Sequence, residues 1–195
     1  MDENKAYRDE LYHVRRSVKY HDHRKRFFEN VLNISLFLAL ICGPSFLLLG
    51  MYAGQNADNT TIEVVDWLRY VPVILTSVFT GAALLSGTSS KSNLHNRLKT
   101  EFIRLRQEME RCQNREQSQV AEWTAKRLDI EVDEPPINRV VDAICHNEVL
   151  QSMGNKDATA YVRVLSWHRL IGPFTRYFDN NLRLYVQGEK GPNWI

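Results

Sequence analysis

Residues 31–53, VLNISLFLALICGPSFLLLGMYA, hold no charged side chain. As a helix the run is roughly 34 Å long at about 1.5 Å per residue, enough to cross a ~30 Å hydrocarbon core. A second uncharged run, YVPVILTSVFTGAALLSGTSS, covers 70–90, and its apolar character reaches back through Val64, Val65, Trp67 and Leu68. Two such blocks joined by a short polar loop predict a two-span transmembrane helical hairpin. The alternative for either block taken alone is a buried core helix.

Charge sets the expected orientation. Lys5, Arg8, Arg15, Arg16, Lys19, Arg24, Lys25 and Arg26 precede the first block, and Lys91, Arg97, Lys99, Arg104 and Arg106 follow the second. The connecting loop has no Lys or Arg before Arg69. The positive-inside rule then places both termini in the cytoplasm. Arg24, Lys25, Arg26, Phe27 and Phe28 read as inner-face anchors. Asp66 and Arg69, three apart, read as interfacial charges or as outer-mouth charges of a pore.

The second block carries a face of small and hydroxylated residues. Thr76, Thr80, Ala83 and Gly87 follow 4-3-4 spacing, and Ser77 and Gly81 stand four apart beside them. Small residues allow close helix contact. The face serves packing within the chain, packing between chains, or a mildly polar pore wall. Gly43-Pro44 allows a kink in the first block. No Asp, Glu, Lys or Arg lies deep in either block, against an ion-coupled carrier.

The flanking segments read as helices. Tyr7, Leu11, Val14 and Val18 continue at His21, Lys25 and Phe28 in one stripe. Leu94, Leu98, Phe102, Leu105, Met109 and Cys112 make a second. Two short heptad stripes predict that the hairpin continues as a cytoplasmic helical pair, with the coil fraying or the helix swinging to a new partner at Glu116 and Gln119; a standalone coiled-coil dimer is the rival. Asp133-Glu134-Pro135-Pro136 is a break that opens a further amphipathic helix with a proline at its first position, and Gly154 ends it. A last helical stretch begins near Asp157. Trp167, Phe174, Tyr177 and Phe178 beyond it are candidates for intramolecular packing, partner binding or membrane contact.

The fold class expected is therefore all-α: a two-span hairpin continuing into a cytoplasmic helical bundle. Its divisions are an N-terminal helix (1–29), spans at 30–53 and 64–88 around a loop at 54–63, a long helix (89–131) and C-terminal helices (132–195). Net charge is +2, too small to point to nucleic acid. Cys42, Cys112 and Cys145 form no CxxC pair, so neither zinc nor redox chemistry is indicated. Cys145-His146-Asn147-Glu148 suggests a nucleophile. Neighbours on a helix point about 100° apart, however, so the first two cannot readily bond to each other. A structural role is expected there, with no catalytic site, no metal and no cofactor.

The sequence RFFENVLNISLFLALICG, the short loop, the small-residue second block and the charged helix behind it resemble the SLATT group of bacterial two-span proteins. EPPINRVVDAICHNEVLQSMG is similar to a feature recurring in related membrane proteins. The resemblance implies an oligomerising, pore-forming effector of a bacterial conflict system in the inner membrane, contacting lipid and other copies of itself. This chain shows no sensor domain, so a cytoplasmic protein partner or sensor is also implied. The other reading is a membrane-anchored scaffold that binds a partner through its C-terminal helices. An enzyme using Cys145 or His146 ranks below both.

Overall fold

The computed structural model describes residues 3–55, 71, 74, 76–81, 87–112, 116–174 and 182–184, without the side chains of 3, 42–55, 158, 170, 171, 183 and 184. They are predominantly helical, and the all-α expectation holds. The elements are α1 (Glu3–Gln55), α2 (Thr88–Arg111), α3 (Gln117–Val132), α4 (Arg139–Ser152), a 3-10 turn (Ala158–Ala160), β1 (Val162–Arg163), α5 (Ser166–Ile171) and β2 (Arg183–Leu184). The chain divides into two compact units, 1–25 with 94–195, and 26–93.

In the first unit the two heptad stripes meet. Tyr7, Leu11, Val14 and Val18 of α1 are buried with Phe102, Leu105 and Met109 of α2, and Val120 and Trp123 of α3 complete the cluster. The 4-3-4 spacing puts each set on one helix face, and burial of that face holds the helices together. Tyr7 adds a hydroxyl bond to the Met109 carbonyl at 3.3 Å.

Residues 89–131 are two helices rather than one. α2 ends at Arg111 and α3 begins at Gln117. α3 is fastened back onto α2 by Trp123 Nε1 and Lys126 Nζ, which donate to the Glu108 carboxylate at 3.3 and 2.7 Å.

α4 starts at Arg139, three residues after the prolines. Asn138 is its N-cap, accepting from Val141 N at 3.1 Å. A side-chain acceptor satisfies an orphan N–H at the first turn, which a proline cannot do. Gly154, at φ +70°, terminates α4 as expected.

The helix expected from Asp157 is instead a 3-10 turn, a two-residue strand and a short helix. The Asn147 side chain is the cause. Its Nδ2 donates to Val162 O at 2.7 Å and its Oδ1 accepts from Val162 N at 2.8 Å. That pair occupies the backbone groups a helix would have used. β1 then pairs antiparallel with β2, Val162 opposite Leu184.

The membrane expectation is corrected. Among the described residues no helix is long and apolar enough to cross a membrane. α1 is long, but its first half is charged and its buried face is committed to a protein core. The two-span hairpin, the integral inner-membrane effector and its membrane-anchored scaffold alternative, and the multi-pass inner-membrane location with cytoplasmic termini are not retained. The membrane meaning of the anchors and outer-mouth charges goes with them.

Candidate functional site

Two features stand out, one in each unit. In the first unit a polar seam joins α1 to α4. Tyr12, Arg16, Lys19, Tyr20 and His23 share one broad side of α1. Arg16 binds Asp142 through two nitrogens, with Nε at 2.7 Å from Oδ1. Lys19 Nζ and His23 Nε2 lie 2.9 and 3.1 Å from the two Glu148 oxygens. Hydrogen bonding from His23, then Lys19, holds the Glu148 carboxyl down at about 2. The Tyr20 hydroxyl accepts from Asn138 N at 2.9 Å.

Cys145, His146 and Glu148 meet α1 in this seam, and Asn147 turns to Val162. Cys145 is fully buried beside Tyr20 and Val141. Burial, reinforced by Glu148 and Asp142, pushes its thiol well above the ordinary range. The thiolate, which is the nucleophilic form, is disfavoured there. His146 Nε2–H donates to the Ala160 carbonyl at 2.8 Å, leaving Nδ1 to accept from the Tyr12 hydroxyl. Asn147 clamps Val162. Asn147→Ala strips both Val162 bonds and is expected to lower unfolding free energy by about 1–3 kcal/mol, read by urea denaturation.

Beside the seam lies a cleft of about 420 Å³, walled by His13, Arg16, Ser17 and Tyr20 of α1 and by Glu134 and Pro136. The Arg16 and Glu134 side chains are both partnered within the fold. Among the described residues no group of three His, Cys, Asp or Glu is placed to hold a metal.

In the second unit the notable feature is uncovered apolar surface. On α1, Ile34, Leu36, Phe37, Leu40 and Ile41 are between 48 and 71% exposed. They span an arc of about 160° on the helix, while Ser35 on the opposite side is buried. Residues 76–81 are helical too, as are 71 and 74. Val71, Ile74, Val78 and Phe79 are exposed there. Ile34-Phe37-Ile41 and Val71-Ile74-Val78 each step by three and four, the spacing of a helix-contact seam.

Of the residues expected on the helix-contact face, Thr76 and Thr80 are half-buried and Ser77 is exposed. A Cβ built on Gly81 would meet no atom within 4 Å, so the space beside it is open within this chain. Gly87 sits at φ +62° immediately before α2. Ala83, Asp66, Arg69, Tyr177 and Phe178 lie outside the described residues.

Of the basic and aromatic cluster, Arg24 donates to the Pro173 carbonyl at 2.9 Å. Phe28 is buried, with Phe27 edge-on at 5.3 Å and the Lys91 ammonium 5.9 Å from its ring centre. Lys25 and Arg26 also have partners. Trp167 and Phe174 are exposed by 50 and 68%.

Sequence reasoning missed Trp123, Arg127, and the contact of His21 with His95 and Glu134. The first two had a signal: Val120, Trp123, Arg127 and Ile130 step by three, four and three along α3. The last had none, because its members lie far apart in the chain.

The described fold defines an all-α protein with a polar-laced helical unit and a second unit exposing apolar helix faces. No family model, no curated protein and no solved structure matches this chain.

Proposed function

We propose that the protein is a non-catalytic, self-associating helical interaction protein, whose second unit docks against the same faces of a second copy. The observation that carries this is the exposed apolar surface of that unit. Nine of its large apolar side chains are between 38 and 71% exposed. Apolar surface left uncovered on that scale marks an interaction site.

Three features favour a second copy as the occupant. Residues 31–53 hold no charge, so a charged partner surface would lose hydration there without compensation. Each stripe has the spacing of a helix-contact seam, and a second copy carries the same seams to meet them across a two-fold axis. The open space at Gly81 admits a neighbouring backbone. The exposed Trp167 and Phe174 favour a second, weaker reading, a protein partner bound by the first unit.

The test is light scattering on the purified full chain, with a photo-reactive residue in place of Phe37. The expected result is a mass at a whole multiple of 22.7 kDa and an adduct joining two differently tagged copies. Phe37→Lys with Val78→Lys is expected to weaken association at least a hundredfold. A monomer at tens of micromolar with no chain-to-chain adduct overturns the reading. So does a chain that crosslinks only to lipid.

A further inference from the structure

Buried in the first unit is a short relay of His95, His21 and Glu134. His21 is fully buried and His95 is 3% exposed. Their Nδ1 atoms are 2.9 Å apart, and His21 Nε2 lies 2.9 Å from Glu134 Oε1. The three come from α1, α2 and the segment between α3 and α4. We infer that this relay is an acid-opened latch that releases residues 20–24 of α1 from α2 when a second proton enters the histidine pair.

The argument is one of hydrogen counting. The Glu134 carboxylate accepts, so His21 Nε2 carries a hydrogen. Two ring nitrogens 2.9 Å apart have room for one hydrogen between them. In the neutral pair His95 Nδ1–H donates to His21 Nδ1. One proton added to the pair still leaves a single hydrogen between the facing nitrogens, so the contact survives. A second proton puts hydrogens on both facing nitrogens and two positive charges side by side. The rings must then separate.

The surroundings set the threshold. From α1, Tyr20 packs edge-on to His95 at 6.2 Å, and Arg24 adds positive charge. Asp22 of α1 is neutralised by Lys99 of α2 at 2.6 Å. Arg97, also on α2, is held by Asp133 at 2.8 Å and Glu101 at 3.9 Å. Phe102 stacks on His21 at 5.5 Å and brings no charge. Glu134 faces the pair through His21. Burial, then His21 and Arg24, hold His95 down at about 3.

The sign follows. An opened His95 titrates near its ordinary value of about 6.5, and the closed one only near 3. The latch is fully stable above about pH 6.5. Below that the open form gains up to about tenfold per pH unit until the closed form also takes the proton.

Hydrogen exchange on the full chain tests this, with amides 20–24 and 94–98 followed between pH 7 and 4.5. After correction for intrinsic exchange, their opening is expected to rise by up to about a hundredfold as pH falls from 6.5 to 4.5. Amides of α3 serve as the internal reference for global unfolding. His95→Gln is expected to remove the slope while keeping a hydrogen-bonding side chain. Equal slopes in the native chain and His95→Gln overturn the latch. So does a ring-carbon NMR titration placing His95 near 6.5.

Discussion

Trp123→Ala is expected to cost about 3–5 kcal/mol of unfolding free energy, the largest effect of any single truncation proposed for this chain. Trp123 is fully buried. Its ring meets Tyr7 edge-on at 5.9 Å, and its Nε1 donates to Glu108. α3 buries only Val120 and Trp123, so the indole supplies most of that helix's purchase on α1 and α2. Removing it leaves a cavity and frees α3 along its length. Urea denaturation followed by circular dichroism reads the loss, and limited proteolysis should find its first cuts within 117–132. Trp167→Ala is the comparison. That ring is 50% exposed, and its loss should cost under about 1 kcal/mol. Equal costs at the two sites would sink the assignment of Trp123 as the anchor of α3.

Arg127→Met is expected to cost about 3–5 kcal/mol, for a different reason. Glu10 is buried in the first unit, and Arg127 Nε donates to its Oε1 at 2.6 Å. Arg127 Nη1 also reaches Glu131 at 2.6 Å, and Thr124 Oγ1 donates to the other Glu10 oxygen at 3.0 Å. Taking away the guanidinium leaves a carboxylate out of water with one hydroxyl for company. Most of the cost is that uncompensated charge rather than the worth of the pair. The double variant Glu10→Leu, Arg127→Met is therefore expected to recover to within about 1 kcal/mol of the native chain, because Thr124 keeps its bond to Val120 O. A double variant as unstable as the sum of the two singles would show the two residues to be uncoupled and would sink this account.

Much of the first unit was legible along the chain. Tyr7, Leu11, Val14 and Val18, and Leu98, Phe102, Leu105 and Met109, are buried where their spacing placed them. Periodicity is a local property, and a stripe on one face needs only something apolar to meet. Gly154 was legible because an αL position after a helix suits glycine almost alone. The packing of α3 was fainter, since its two buried residues sit among eleven polar or small ones and its partner stripe is already shared by α1 and α2. The helix expected after Asp157 failed because one side chain fifteen residues earlier, Asn147, claims the Val162 backbone.

The candidate sites divide in the same way. That Cys145 and His146 would meet different partners was readable from helix geometry. Which bonds residues 145–148 make was not, because Tyr12, Lys19, His23, Ala160 and Val162 reach them only once the chain is folded. The uncharged stretch 31–53 announced an apolar helix face through composition alone. Hydropathy records how much a residue avoids water and says nothing of what shelters it, and the membrane reading rested on that sum. Local sequence thus determined the helices, their apolar stripes and the glycine end of α4. Pairing across more than a hundred residues, Glu10 with Arg127 and His21 with Glu134, was decided by tertiary packing, because a buried charge or imidazole is tolerable only where the fold delivers its partner.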